Sequence, residues 1–251
     1  MSKNIILLSD GTASSNIKNR GTNVYKLYEA IDFNSDKIKQ RAFYDDGVGT
    51  QEFKPFKLLG GAFGWGLARN VRHLYKELVQ SYKPGDKIYL FGFSRGAFTV
   101  RTLAGFICSQ GILDNNVYWD DDQLDKAVFH SYQQYRSKKL AVLENLLYKP
   151  HKREFKLIEA KPSIEFMGVW DTVDAVGLPV DEATDFWNYF IFRFKFRDQI
   201  LSQQVKKACH ALAIDEERQA FHPLLWEHDA RIEQVWFPGS HGDVGGGRPQ
   251  Q

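Results

Sequence analysis

The chain has 251 residues, of which 43% are hydrophobic and 14% aromatic, enough to build the core of one large folded domain. Lys and Arg number 33 against 31 Asp and Glu, and this formal net charge of +2 favours neither a nucleic-acid-binding protein nor a strongly anionic partner. The 2 cysteines, Cys108 and Cys209, lack the spacing of a zinc site or a disulfide framework and favour a reducing compartment.

The first part of the chain predicts strands that alternate with helices. Asn4–Ser9 is predicted as a buried strand, and its apolar run is too short for the core of a signal peptide. A helix is predicted over 23–31, a strand over 41–44 and a second helix over 67–82. The glycine-rich stretch at 60–66 lacks the motifs of a nucleotide-binding loop, so we interpret it as a close-packed turn.

The rest of the chain continues this pattern around one insertion. Residues 87–93 predict a strand and 97–107 a buried helix, and two further strands are predicted at 164–170 and 232–237. Between them, residues 114–162 change to polar and aromatic helical segments, which we interpret as a helical insertion. The sequence therefore predicts an α/β-hydrolase-like, mostly parallel sheet with helices on both faces, in one domain that spans the whole chain. No stretch is long and apolar enough to span a bilayer.

The most informative motif is Gly-Phe-Ser-Arg-Gly at 92–96, directly after the strand at 87–93. A Gly-x-Ser-x-Gly motif between a strand and a helix is typical of a nucleophile elbow, which lifts a serine hydroxyl to where a base can reach it. Gly92 and Gly96 permit the tight turn because they have no side chains. Ser94 is therefore the predicted nucleophile.

Two other predicted strands end at residues that complete a catalytic triad. Asp171 follows the strand at 164–170, and His241 follows the strand at 232–237. The order Ser, Asp, His along the chain is the one that α/β-hydrolases use. Because the carboxyl ends of parallel strands share one edge of a sheet, we expect Ser94, Asp171 and His241 to converge there.

Alternatives for the acid and the base remain open in the sequence. Asp174 is a rival to Asp171, which itself could cap the turn after its strand. His73 and His210 lie in patterns interpreted as helical, where a structural histidine is the usual outcome. His241 lies in a glycine-rich loop, which favours it as the base.

The predicted oxyanion hole takes one backbone N–H from Arg95, the residue after the nucleophile. Gly11, after the first strand, is the predicted second donor because a glycine allows close approach, and Thr12 is next in line. Asp10 beside it is typical both of an aspartyl phosphotransferase and of a turn-stabilising acid, and the lack of a clear metal-binding partner favours the turn.

Residues 186–196 have the most unusual composition in the chain, combining aromatic and basic side chains from Phe186 to Phe196. Such a segment is typical of a lid or of a contact with a lipid interface, in which Arg193 and Lys195 meet headgroup phosphates. The alternative is an ordinary aromatic core segment.

Four motifs of the chain belong together. They are Ser-Asp-Gly-Thr at 9–12, Gly-Phe-Ser-Arg-Gly-Ala at 92–97, Gly-Val-Trp-Asp-Thr-Val at 168–173 and Ser-His-Gly-Asp-Val-Gly-Gly-Gly at 240–247. Together they resemble a family of uncharacterised bacterial and fungal α/β-hydrolase domains that includes phospholipase effectors of type VI secretion systems. The resemblance implies a triad on Ser94, Asp171 and His241, and glycerophospholipid esters as a substrate class. It also implies a C-terminally shortened chain, because relatives continue past the His241 motif.

The sequence thus predicts a serine hydrolase that cleaves a small-molecule or lipid ester without a metal or organic cofactor. The alternatives are a non-catalytic lipid- or protein-binding module on the same scaffold, and an acyltransferase or amidase on the same triad. With no signal peptide and no transmembrane helix expected, the predicted location is the cytoplasm or delivery by a specialised secretion system.

Overall fold

A computed structural model describes residues 2–11, 21–47, 61–140, 154–173 and 199–247. The strands and helices of these residues follow the alternating order expected from the sequence. The strands are β1 (Asn4–Ser9), β2 (Gln40–Asp45), β3 (Lys87–Phe93), β4 (Ile112–Leu113), β5 (Leu157–Glu159), β6 (Ile164–Trp170), β7 (Ala208–Ala213) and β8 (Ile232–Phe237). The helices are α1 (Asn23–Glu29), α2 (Gly61–Ser81), α3 (Arg95–Gln110), α4 (Asp121–Leu140) and α5 (His241–Gly245).

Six strands form one parallel sheet in the order β2-β1-β3-β6-β7-β8. The register aligns the carboxyl ends of the strands, since Ser9 pairs with Gly92 and Phe93 pairs with Trp170. The loops that follow β1, β3 and β6 therefore leave the sheet side by side. This confirms the predicted mostly parallel α/β sheet and places the predicted site residues at one edge.

Helices cover both faces of the sheet, as predicted. On one face α2, α3 and α4 bury the main core against alternate side chains of β1 and β3, such as Leu7 and Leu90. On the other face α1 buries Val24 against Ile6 and Leu8 of β1, in a smaller cluster. Successive side chains of a strand point to opposite faces of the sheet, so an apolar strand makes both faces of the sheet apolar.

Two local predictions are wrong. The turn predicted at 60–66 is wrong over residues 61–66, because α2 already begins at Gly61. The buried side chains of α2, such as Val71 and Leu74, stabilise the helix, and poor helix formers are tolerated at its start. The expected helical setting of His210 is also wrong, because His210 lies in β7, between β6 and β8.

The predicted insertion at 114–162 contains α4 and the short strand β5, which pairs antiparallel with β4. Helix α4 contributes Leu124, Val128 and Tyr132 to the main core. Its apolar side therefore packs on the central fold. In the part of the chain that the structure describes, none of the helices has the length and hydropathy needed to cross a membrane.

Candidate active site

Ser94 occupies the sharp turn between β3 and α3. Its backbone has φ 58° and ψ −125°, a left-handed conformation that is uncommon for residues other than glycine. A Cβ on Gly92 would lie 2.6 Å from the Gly96 carbonyl oxygen, and one on Gly96 would lie 2.2 Å from the Ser9 carbonyl oxygen. Both glycines are therefore needed for the close approach of the turn to its own helix and to β1.

The structure brings Ser94, His241 and Asp171 into one hydrogen-bonded chain. His241 Nε2 lies 2.8 Å from Ser94 Oγ, and His241 Nδ1 lies 2.6 Å from Asp171 Oδ2. With its proton on Nδ1, the imidazole donates to the carboxylate and accepts from the serine hydroxyl. All three side chains are buried, with exposed fractions of 5% for Ser94, 6% for His241 and 0% for Asp171.

Backbone groups of the neighbouring strand β7 hold Asp171 in position. Its own N–H donates to the Ala211 carbonyl at 2.7 Å, and its Oδ1 accepts the Ala213 N–H at 3.0 Å. Asp171 has φ 38°, so this loop residue also adopts a left-handed conformation. One carboxylate oxygen is thus fixed by β7 and the other faces His241. The rival acid Asp174 lies outside the described residues.

His210 supports the backbone directly after Asp171 and is not placed to act on Ser94. Its Nε2 accepts the Thr172 N–H at 3.1 Å, and its Nδ1 lies 3.3 Å from Gln234 Oε1. Burial, with the nearby Arg101 charge, lowers the pKa of His210 to about 3, so the ring is neutral at physiological pH. The rival His73 lies on α2 and faces Glu77 at 3.9 Å.

His241 is held by aromatic rings on its side chain and by a carboxylate on its backbone. Its ring centroid lies 4.7 Å from that of Phe93 and 4.8 Å from that of Phe221. Its N–H donates to Glu216 Oε2 at 3.2 Å. Arg218 donates to the same carboxylate, which lowers the pKa of Glu216 to about 2, and its guanidinium carbon lies 4.0 Å from the Phe221 ring centroid.

The segment after His241 is joined to the start of α1. Gly246 forms a bridge with Thr22, the Gly247 N–H donates to the Gly21 carbonyl at 2.9 Å, and the Asn23 side chain donates to the Val244 carbonyl at 2.8 Å. The short helix α5, which lies where the sequence predicted a loop, is therefore anchored to the start of α1.

The predicted oxyanion donors lie on either side of Ser94. Arg95 is the first residue of α3, where amides have no partner carbonyl within the helix. A Cβ on Gly11 would lie 3.4 Å from Ser94 Cβ, so Gly11 does approach the nucleophile. Its N–H, however, donates to Asp10 Oδ1 at 2.7 Å, and Thr12 lies outside the described residues. The assignment of Gly11 as the second donor stays a prediction.

Glu216 and Phe221, which contact His241, were not predicted as site residues from the sequence. They follow β7 in a polar stretch, and only the run of charged residues at 215–218 hinted at a structural role. As for metals, the described ranges hold no group of three or more His, Cys, Asp or Glu side chains suited to an ion. Residues 186–196 lie outside the described residues.

The parallel sheet and the strained serine turn after its third strand define the α/β-hydrolase fold class. Residues 3–251 match the family described as "T6SS, Phospholipase effector Tle1-like, catalytic domain". The chain belongs to this family of Tle1-like catalytic domains of type VI secretion phospholipase effectors, as the sequence motifs suggested.

Known proteins similar to this chain are longer than it is. The uncharacterized protein YEL023C of Saccharomyces cerevisiae is 30% identical over 241 residues, which cover 89% of this chain and 33% of the yeast protein. An uncharacterized Pseudomonas aeruginosa protein has a TM-score of 0.53 at 19% identity, over 98% of this chain and 42% of that one. The Tle1 effector bound to the VgrG spike of the type VI secretion system has a TM-score of 0.55 at 19% identity, over 99% of this chain and 52% of the Tle1 chain. The chain thus spans about half or less of these relatives.

Proposed function

We propose that this chain is a serine hydrolase that cleaves carboxylic esters of lipids, with Ser94 as nucleophile, His241 as base and Asp171 as acid. The observation that carries the proposal is the buried chain of hydrogen bonds from Ser94 Oγ through His241 to Asp171, at 2.8 Å and 2.6 Å. Both distances lie within the range that general-base activation of a serine requires.

In the proposed first step, Ser94 Oγ attacks the ester carbonyl while His241 Nε2 takes the hydroxyl proton. Asp171 stabilises the imidazolium and keeps the proton of the neutral ring on Nδ1. When the tetrahedral intermediate collapses, the C–O bond to the leaving alcohol breaks and His241 returns the proton to that alcohol. Water then attacks the acyl-serine through the same base, which releases a carboxylic acid and restores Ser94.

The negative charge on the substrate oxygen would be stabilised at the start of α3. The Arg95 N–H follows the nucleophile directly, which is the usual position for one oxyanion donor. The positive end of the helix dipole favours the same charge. We propose Arg95 as the first donor and Gly11 as the second, with Thr12 next in line.

The substrate class we propose is the acyl ester of a phospholipid, and its support is the family description. The triad sets only the nucleophile, so acyl transfer to another alcohol would share every step up to the acyl-serine. Delivery by a secretion system is proposed on the same family grounds.

The test is covalent labelling with a fluorophosphonate, followed by mass spectrometry of the labelled peptide. We expect label on Ser94 and none in Ser94→Ala. Ser109→Ala is the matched control, because Ser109 is an exposed serine on α3, the helix that follows Ser94. This variant should retain full labelling. Labelling of Ser94→Ala equal to wild type would contradict the proposal.

A panel of phospholipid and short-chain esters, with product analysis in water and in the presence of added alcohol, then identifies the acceptor. We expect free fatty acid as the main product and no turnover by Ser94→Ala. Binding to phospholipid vesicles without Ser94-dependent turnover would instead indicate a non-catalytic module.

A further inference from the structure

Asp10, directly after β1, is a buried acid that the proposed reaction does not use. Its exposed fraction is 0%, and no salt bridge joins it to a cation among the described residues. Its carboxylate accepts hydrogen bonds from the Gly11 N–H at 2.7 Å, the Thr22 hydroxyl at 2.5 Å and the Tyr44 hydroxyl at 2.6 Å. Burial raises the pKa of Asp10, and these three donors oppose that shift.

One oxygen of the carboxylate faces the nucleophile side of the site. Oδ1 accepts from the amide of Gly11, where an added Cβ would lie 3.4 Å from Ser94 Cβ and 3.1 Å from Phe93 Cδ1. The Asp10 carbonyl oxygen lies where a Cβ on Gly96 would be only 2.4 Å away. Asp10 therefore packs directly against the first turn of α3, beside the serine.

The other oxygen faces the base side. Oδ2 accepts from Thr22, which caps α1 through the Tyr25 N–H and forms the bridge with Gly246. Gly246 directly follows the helix that carries His241. A single carboxylate thus connects the loop beside Ser94 to the anchor of His241.

A buried carboxylate costs free energy unless nearby partners satisfy it, and among the described residues three donors to Asp10 come from three separate segments. An apolar side chain would fill the same space at lower cost if filling space were the only requirement. We propose that Asp10 is a positioning residue that fixes Gly11 relative to Ser94 and holds Thr22, the anchor of the His241 helix, in place. This inference rests on the proposed function of the site.

The test compares Asp10→Leu with Asp10→Asn. Leucine fills similar space but leaves the Gly11 N–H and the two hydroxyls without an acceptor. Asparagine keeps a carbonyl oxygen for the Gly11 N–H, and its NH₂ group donates to the hydroxyls of Thr22 and Tyr44, which accept as well as donate. We expect kcat of Asp10→Leu to fall about 100-fold, the effect of a displacement near 1 Å, with KM within threefold of wild type. Asp10→Asn should stay within about tenfold of wild type.

Asp86→Leu is the matched control. Asp86 is also buried and accepts from the backbone amides of Lys3 and Lys83, but it precedes β3 at the opposite end of the strand from Ser94. The Asp86→Leu variant should have a lower urea midpoint of unfolding and an unchanged kcat. Equal kcat in Asp10→Leu and wild type, or a loss in Asp10→Asn as large as in Asp10→Leu, would overturn the proposal.

A second readout does not depend on turnover. The proton between His241 Nδ1 and Asp171 should give a low-field resonance in the proton NMR spectrum of the wild type. We expect Asp10→Asn and Asp86→Leu to retain it and Asp10→Leu to lose it, because the anchor of His241 is released; an unchanged resonance in Asp10→Leu would overturn the proposal. If wild type hydrolyses no ester, the proposed function fails while this resonance still decides the role of Asp10.

If Asp10→Leu does not fold, Tyr44→Phe takes its place, since it removes a single donor to Oδ2. We expect kcat of Tyr44→Phe to fall about tenfold at unchanged KM, on the scale of one charge-assisted hydrogen bond. A kcat equal to wild type would overturn the proposal.

Discussion

Replacement of Gly245 by alanine tests whether the packing around His241 controls its activity. Gly245 is the last residue of α5, and a Cβ at this position would lie 1.9 Å from Phe93 Cε2 and 2.1 Å from Cζ. Carbon atoms normally approach to about 3.5–4.0 Å, so the ring or the helix must move by roughly 1.5 Å. Because the Phe93 ring also packs on the imidazole, at 4.7 Å between centroids, this movement reaches His241.

Both stability and turnover should respond. Overpacking of a filled site costs about 1–3 kcal/mol of unfolding free energy, and a displacement of about 1 Å at a catalytic group lowers turnover about 100-fold. For Gly245→Ala we therefore expect a lower urea midpoint and a kcat about 100-fold below wild type. Steady-state ester hydrolysis and urea unfolding measure the two effects separately.

Gly85→Ala is the control for this change. Gly85 has φ +92°, and nothing lies within 4 Å of the position of an added Cβ, so the substitution strains the backbone without any steric contact. It should cost about 1 kcal/mol of stability and leave kcat unchanged. If Gly245→Ala retained kcat within threefold of wild type, the argument that Phe93 positions the imidazole would be refuted.

Further substitutions test the proposed acid, the buried His210 and the backbone support of the proposed base. Asp171→Asn should lower kcat by up to about 10,000-fold in steady-state assays, as the equivalent change does in a serine protease, and a larger loss in Asp174→Asn would reassign the acid. The pKa of His210 falls from about 6.5 in the unfolded chain to about 3 in the folded protein. The contribution of the neutral ring to the free energy of unfolding is therefore complete above pH 6.5 and is lost as the pH falls toward 3. Urea unfolding should show that, between pH 7 and pH 5, the free energy of unfolding falls by about 2 kcal/mol less in His210→Gln than in wild type. Equal decreases in the two proteins would contradict this role of His210. Glu216→Ala should lower kcat about tenfold with KM within twofold, since the His241 N–H loses its acceptor, and an unchanged kcat would exclude that role.

Strands rich in branched and aromatic residues were predictable from the sequence. β1, β6 and β8 have the predicted bounds, because each is rich in branched or aromatic residues and is followed by a polar or glycine-containing turn. β7 was not predicted, since its sequence, Ala-Cys-His-Ala-Leu-Ala, has residues that favour helices or have no strong preference. Its position between β6 and β8, which sequence patterns do not show, makes it a strand.

The site residues were predictable where they directly follow strands. Ser94 and Asp171 come after paired residues of β3 and β6, so parallel pairing alone brings them near each other. Residues that act through tertiary contacts leave no comparable pattern. Glu216 reaches the His241 amide across 25 positions, and the engagement of the Gly11 amide by Asp10 depends on where the Asp10 carboxylate points.

The bridge between Thr22 and Gly246 has a consequence for the timing of synthesis. A ribosome makes Ser94, Asp171 and His241 in that order, and the segment at 21–23 must wait for residues 244–247 before it can hold the base. Most of the parallel sheet is already encoded by then. A nascent chain stalled before His241 should therefore carry a folded Ser94 turn without its hydrogen bond to His241, so that the proposed hydrolysis begins only after residues 244–247 have been made.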